Sequence, residues 1–122
     1  MKKGAIYLIF VLLFSCQTND SNDIFCTTEV KAGLNVSVHL VESSSSIPIS
    51  EGVTVVITDG NYSETLQFID VQNPIYYGAY ERAGTYTITV TKAGRQTYVS
   101  QPIVVTRDIC HVIPQTVMVS LL

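Results

Sequence analysis

The side chains of this chain that could carry out chemistry are three cysteines, two histidines and ten carboxylates among 122 residues. The histidines, His39 and His111, are far apart, and His111 directly follows Cys110, which is not the spacing of a zinc-ligand pair. The acids are spread singly, so their spacing indicates neither a catalytic carboxylate pair nor a calcium loop. The sequence also contains no Gly-x-Ser-x-Gly turn and no glycine-rich phosphate loop. We therefore expect no enzyme activity, no metal and no cofactor, and solvated or capping roles for both histidines.

Cys16, the first of the three cysteines along the chain, ends a segment organised like a secretory signal. Two lysines precede residues 4–14, an uncharged run that is shorter than the roughly 20 apolar residues of a membrane-spanning helix. The run ends in Leu13-Phe14-Ser15-Cys16, which resembles the bacterial lipoprotein box, where a small residue precedes the cysteine that receives a diacylglycerol. The resemblance implies a signal peptide at 1–15 and lipidation of Cys16. A plain secretory signal with a chance cysteine is the alternative.

Residues 16–25 are expected to hold the lipidated cysteine and a flexible tether. Residues 17–23 are polar and include two aspartates, which loosely resembles the acidic export tags of Bacteroidetes lipoproteins; a plain linker is the alternative. Removal of residues 1–15 leaves five basic residues against ten acidic ones, a net charge of −5. Without a basic stripe the chain is not expected to bind nucleic acid, and it would meet the membrane through the lipid on Cys16. The expected location is the cell envelope, at the outer membrane, facing the periplasm or the surface.

Composition and periodicity both predict strands. Val, Ile and Thr account for 41 of the 122 residues, and their β-branched side chains suit a pleated surface. In residues 84–91, Tyr86, Ile88 and Val90 alternate with threonines, which predicts one core face and one wet face. Residues 34–40 alternate in the same way.

Turn residues divide the rest of the chain into further short segments. Asp59-Gly60 suits the tight turn of a hairpin. The other predicted strands are 53–58, 63–69, 75–80, 96–106 with a break at Pro102, and 112–122. Regular turns in an all-β chain of about 100 residues predict a two-sheet sandwich.

Two of these segments resemble the hallmarks of carboxypeptidase regulatory-like domains. Residues 47–55 read Ile-Pro-Ile-Ser-Glu-Gly-Val-Thr-Val, and residues 83–90 read Ala-Gly-Thr-Tyr-Thr-Ile-Thr-Val before a Lys-Ala-Gly turn. Arg95 stands where the family has an aromatic residue after that turn. The resemblance implies a seven-stranded, prealbumin-like β-sandwich over residues 26–122, without catalysis by this domain.

Cys26 and Cys110 would remain in an oxidising compartment, one before the first predicted strand and one before the last. A disulfide between them would stabilise the fold by roughly 4 kcal/mol on the chain-entropy model. Two unpaired cysteines are the alternative.

Three tyrosines, Tyr76, Tyr77 and Tyr80, fall within five residues. Tyrosine offers an apolar face and a hydroxyl, which suits a protein hot spot or stacking on a sugar. Strict alternation places Tyr76 and Tyr80 on one face and Tyr77 on the other, and packing in the core is the alternative. Two functions therefore remain: a membrane-anchored envelope lipoprotein whose sandwich binds or supports a protein partner, or a small surface lipoprotein that binds glycans through Tyr76 and Tyr80.

Overall fold

The computed structural model describes residues 24–122. The predicted signal peptide 1–15, Cys16 and most of the tether lie outside the described residues; the last two residues of the tether, Ile24 and Phe25, have no regular secondary structure. No helix in the described part of the chain is long and apolar enough to span a membrane.

The described residues are all-β, as predicted, and their strands form two sheets that pack as a sandwich. In chain order the strands are β1 (Ala32–Leu40), β2 (Val53–Asp59), β3 (Tyr62–Thr65), β4 (Gln67–Phe68), β5 (Tyr76–Tyr80), β6 (Gly84–Lys92), β7 (Tyr98–Val99), β8 (Ile103–Val105) and β9 (Gln115–Leu121). The first sheet has the order β4-β5-β1-β9, and the second has the order β3-β2-β6-β7, with β8 also paired to β6.

Each sheet has one long central strand that contributes three fully buried side chains to the core. β1 pairs antiparallel with β5 and parallel with β9, while β6 pairs antiparallel with β2, β7 and β8. The predicted inward faces are confirmed, since the side chains of both strands that face the other sheet have no exposed surface. They are Leu34, Val36 and Val38 from β1, and Tyr86, Ile88 and Val90 from β6.

The hydroxyl of buried Tyr86 reaches a polar cluster at the end of the core. It donates to the Arg82 carbonyl at 2.7 Å and accepts from the Arg82 guanidinium at 2.9 Å. The same guanidinium binds Asp59 at 2.9 Å and lies 3.8 Å from the centre of the Tyr62 ring. This arrangement satisfies a buried polar group that would otherwise destabilise the core.

The strand count differs from the seven expected, because two predicted strands are each divided. Residues 63–69 form β3 in the second sheet and β4 in the first, and the chain crosses between the sheets at Leu66. The Leu66 N–H donates to the Val55 carbonyl at 2.8 Å, and its buried side chain closes that side of the core. Residues 96–106 are divided at the predicted break before Pro102, so that β7 and β8 lie one after the other along β6.

The predicted disulfide between Cys26 and Cys110 is present, with Cα atoms 5.1 Å apart across 84 residues of sequence. It joins the segment before β1 to the segment before β9. The predicted hairpin turn after β2 is also present, and Gly60 has the positive φ (+55°) that a tight turn of this kind requires.

The two faces of β6 predict different costs of substitution. Ile88→Ala should lower the free energy of unfolding by about 2 to 5 kcal/mol, because it leaves a cavity in the closed core. Thr87→Ala, on the opposite face of the same strand, should cost under about 1 kcal/mol. Urea denaturation of the two variants measures both values. An equal loss, or a larger one at Thr87, would contradict the assignment of the faces.

Candidate binding site

The outer face of the first sheet is shaped by a distortion at the end of β5. Ala79 has a φ of +54°, a conformation that residues other than glycine rarely adopt. Its N–H donates to Oε1 of Glu64 at 3.0 Å, and its carbonyl accepts from the N–H of Arg82 at 3.2 Å. These bonds hold the unusual backbone in place. Gly78 and Ala79 are consequently both buried, and the alternation of inward and outward residues is lost after them.

This distortion changes which tyrosines share a face. Tyr76 is 3% exposed and packs edge-on against Phe68 in the core, where burial raises the pKa of its phenol. Tyr80 turns outward, is 47% exposed and lines the same cavity as Tyr77. The prediction that Tyr76 and Tyr80 share a face is therefore wrong. It assumed a strict two-residue period, which the positive φ of Ala79 interrupts.

Tyr77 and Tyr80 line an open cavity of about 410 Å³, which we call the tyrosine cavity. Asn35 of β1 stands directly opposite Tyr77 in the sheet and forms part of its wall. The remaining lining residues come from the segment before β1, from its first residue, and from the loops after β4 and before β9. They are Glu29, Val30, Lys31, Ala32, Ile69 and Pro114. The cavity thus depends on four separate parts of the chain.

Asn35 supplies an unsatisfied polar atom in the wall of this cavity. Its Oδ1 is buried and has no hydrogen-bond partner within residues 24–122. Buried acceptors are nearly always paired, and an unpaired one costs about 1 to 3 kcal/mol. A ligand that brings an N–H or O–H donor to this oxygen, with the shift of the Asn35 side chain needed to uncover it, would remove that cost. Sequence reasoning placed Asn35 on the wet face of its strand, but its position opposite Tyr77 follows only from the pairing of β1 with β5.

Part of the rim of the tyrosine cavity is apolar, and the charged Glu29 and Lys31 also line the cavity. Val30 is 64% exposed and Ile69 is 83% exposed, and both line the cavity beside Tyr80. Exposed aliphatic side chains grouped around an aromatic pocket are typical of surfaces that bind another molecule.

One carboxylate, that of Glu81, fixes the segment before β1 against the body of the domain. Its Oε1 accepts from the N–H of Lys31 at 2.9 Å and lies 2.6 Å from Nδ1 of His111, and its Oε2 accepts from the N–H of Val112 at 3.1 Å. These donors hold the pKa of the Glu81 carboxyl below its usual value, the N–H of Lys31 most strongly. Glu81 also follows Tyr80 directly, so the same bonds support one wall of the tyrosine cavity.

His111 connects Glu81 to Thr27, whose Oγ1 lies 2.9 Å from Nε2. An ionised carboxylate can only accept, so Nδ1 carries a proton and, in the neutral ring, Nε2 accepts from the hydroxyl. A hydroxyl, an imidazole and a carboxylate in this order have the connectivity of a hydrolytic triad. Here Thr27 lies beside the disulfide, and the Glu81 carboxylate also accepts from two main-chain N–H groups. The Thr27–His111–Glu81 series therefore has a structural role, because it joins separate segments of the chain.

The other residues singled out from sequence are not among those that line the tyrosine cavity. His39 is half-buried on β1, and Cys16 lies outside the described residues. Across residues 24–122, no three His, Cys, Asp or Glu side chains are grouped so that they could hold a metal ion.

Comparison of the chain with protein-family models, with curated proteins and with solved structures found no match. Inference about function therefore rests on the residues of this chain and the geometry of the tyrosine cavity.

The Glu81 cluster predicts a dependence of stability on pH. Because the folded-state pKa of Glu81 is depressed, its contribution is fully present above the unfolded value of about 4.3 and is lost as the pH falls through the folded value. Glu81→Gln should therefore be less stable than the wild type at pH 7, and the difference should shrink as the pH falls below about 4. Urea denaturation between neutral and acidic pH measures this.

The matched control for that experiment is Glu51→Gln, at an exposed turn residue, which should follow the wild-type stability across the range. A difference between Glu81→Gln and wild type that stays constant down to the lowest pH would contradict the role given to Glu81.

Proposed function

We propose that the protein is a non-catalytic, lipid-anchored lipoprotein of the cell envelope whose β-sandwich binds a protein partner through the tyrosine cavity. The observation that carries this proposal is the combination, in one open cavity, of two tyrosines, an apolar rim and the unsatisfied Oδ1 of Asn35. A protein surface supplies the complementary groups, namely an apolar side chain for the rim and an N–H for Asn35.

The size and composition of the cavity suit an anchoring side chain of a partner. Binding hot spots are apolar or aromatic groups that fill a pocket at the centre of an interface, surrounded by contacts that exclude water. Tyr80, Val30 and Ile69 would form that surrounding ring. The carboxylate of the hydroxyl–imidazole–carboxylate series is occupied in accepting from the main-chain N–H groups of Lys31 and Val112, which supports the non-catalytic part of the proposal.

The proposed anchor is a diacylglycerol on Cys16, in the lipoprotein box. Residues 17–25 would extend at most about 30 Å, which keeps the domain close to the membrane surface. The disulfide at Cys26 fixes the end of this tether to the domain, a few residues before the part of the chain that lines the tyrosine cavity. The protein would therefore bind its partner near the outer membrane.

We also propose that the sandwich is of the prealbumin-like type found in carboxypeptidase regulatory-like domains. The two sequence stretches that resemble this family contain the start of β2 and most of β6, two strands that pair side by side over six residue positions. This neighbouring placement supports the resemblance, which rests on the two motifs.

The anchor predicts a simple change in partitioning. Cys16→Ala removes the thiol that would be acylated, so the variant should leave the membrane fraction and no longer partition into detergent. Fractionation of cells that express the full chain, followed by detergent phase separation, measures this. Unchanged membrane association of the variant would contradict lipidation at Cys16.

A saccharide is the second candidate ligand, favoured by the two tyrosines that line one wall. Tyr77 and Tyr80 could stack on a sugar ring while a sugar hydroxyl donates to Oδ1 of Asn35. This candidate now involves Tyr77 and Tyr80, because Tyr76 is in the core.

One set of variants tests the proposed function and separates the two candidates. Ile69→Asp places a charge on the apolar rim and should abolish capture of a protein partner from cross-linked envelopes, while Tyr77→Ala should weaken it at least tenfold. The control is Val104→Asp, at another exposed aliphatic position, on β8 outside the tyrosine cavity, which should leave capture unchanged.

The same variants are applied to a glycan array. Retention of a sugar that is lost in Tyr77→Ala and kept in Ile69→Asp would favour the saccharide. Capture of a partner that is equal in Ile69→Asp and wild type would overturn the proposed protein-binding role of the cavity.

A further inference from the structure

The long edge strand β9 has no strand partner on its outer side in the part of the chain that the structure describes, although residues 96–99 lie near its C-terminal end and the N–H of Gln96 donates to the carbonyl of Leu122 just beyond it. It lies at the end of the first sheet and pairs only on the side of β1. Its seven residues, Gln115–Leu121, include no charged residue and no proline, whereas the other strands at sheet edges, β3, β4, β7 and β8, have two to four residues. Proteins usually protect such an edge with charge, proline or a bulge, because its free N–H and C=O groups can pair with another strand.

The pairing with β1 shows which main-chain groups of β9 are free. The N–H of Val41 donates to the carbonyl of Leu121 at 2.9 Å, so Leu121 directs its main-chain groups towards β1. In a parallel ladder alternate residues do this, which leaves Thr116, Met118 and Ser120 with their N–H and C=O groups pointing away from the sheet. Their side chains are exposed too, that of Met118 by 71%.

We propose that β9 pairs antiparallel with β9 of a second copy of the chain, about a twofold axis that passes beside Met118. In this register Met118 lies opposite Met118 of the second copy, and Thr116 lies opposite Ser120. All three are residues with outward main-chain groups, so each opposed pair exchanges two hydrogen bonds. β9 has seven residues and Met118 is the fourth, so this register pairs the whole strand with itself.

Neighbouring registers satisfy fewer groups. Moving the axis to residue 117 places Ser120 opposite Pro114, which has no N–H to donate. Moving it to residue 119 places Thr116 opposite Leu122, whose carbonyl already accepts from the N–H of Gln96 at 3.1 Å. The hydrogen bonds therefore select the axis at Met118.

The composition of β9 favours a second copy as its occupant. A strand that pairs with itself across a twofold axis brings identical or nearby residues together, so any charge near its centre would meet a like charge. β9 has none, and its opposed side chains would be methionine with methionine and threonine with serine. The result is one continuous eight-stranded sheet, with both tyrosine cavities on the same outer face.

Cysteine cross-linking of the full chain in its membranes tests the register. Met118→Cys places two introduced thiols in a hydrogen-bonded pair, with Cα atoms about 5.5 Å apart, within reach of a disulfide. The matched control Ser120→Cys places its two thiols four residues apart along the strands, about 13 Å, which is out of reach. We expect a disulfide-linked dimer at least ten times more abundant for Met118→Cys, with peptide mapping that joins the two introduced thiols. Equal cross-linking of both variants, or cross-linking of Met118→Cys to a different protein, would overturn the proposal.

Charge substitution at Met118 provides an independent test of the pairing. The side chain of Met118 is exposed, so a charged residue there would not be crowded within the single chain. Met118→Lys and Met118→Glu should each abolish co-purification of two differently tagged copies of the full chain, because like charges meet at the axis. Co-expression of the two variants should restore it, because lysine then faces glutamate. Co-purification that persists in either single variant, or that is not restored in the mixture, would contradict the pairing.

Discussion

The fold depends on the burial of two alternating strands against each other. β1 and β6 lie in different sheets, and their inward side chains form the centre of a closed apolar core in a chain with few charged residues. Neither strand could bury this face alone, and each is completed by neighbours that arrive from distant parts of the sequence, β9 for β1 and β2 for β6. Apolar burial therefore fixes which faces look inward and leaves the outer faces free to vary.

Carboxylates then determine the shape of the outer face of the first sheet. Glu64 holds the N–H of Ala79 in a conformation that other residues avoid, and Glu81 holds the N–H groups of Lys31 and Val112. The first bond turns Tyr80 outward, and the others bring the segment before β1 to the edge of the tyrosine cavity. Glu64 and Glu81 each stand alone in the sequence, without a second acid nearby, and each has a structural role. The geometry of the cavity consequently depends on ionised side chains as well as on packing.

The two surfaces with unsatisfied groups have different physical origins. In the tyrosine cavity the unpaired atom is a side-chain oxygen, Oδ1 of Asn35, surrounded by apolar and aromatic side chains. Along β9 the free groups belong to the main chain and repeat with the period of the strand. The first surface selects a ligand by shape and by one donor, whereas the second selects an extended strand.

The local patterns of this fold follow from neighbouring residues in the sequence. Residues 84–91 alternate without exception, so their strand and its inward face could be predicted, and the Asp59-Gly60 turn follows from the conformational freedom of glycine. The sequence also predicted the disulfide between Cys26 and Cys110, although the geometry of that bond depends on the fold. Only the tertiary structure decided the crossing at Leu66, because that depends on where the second half of a predicted strand finds a partner. It also decided which tyrosines share a face and that Asn35 stands opposite Tyr77. These features depend on a bond between Glu64 and Ala79 and on the pairing of β1 with β5, which join residues distant in sequence, whereas periodicity reports only on neighbours.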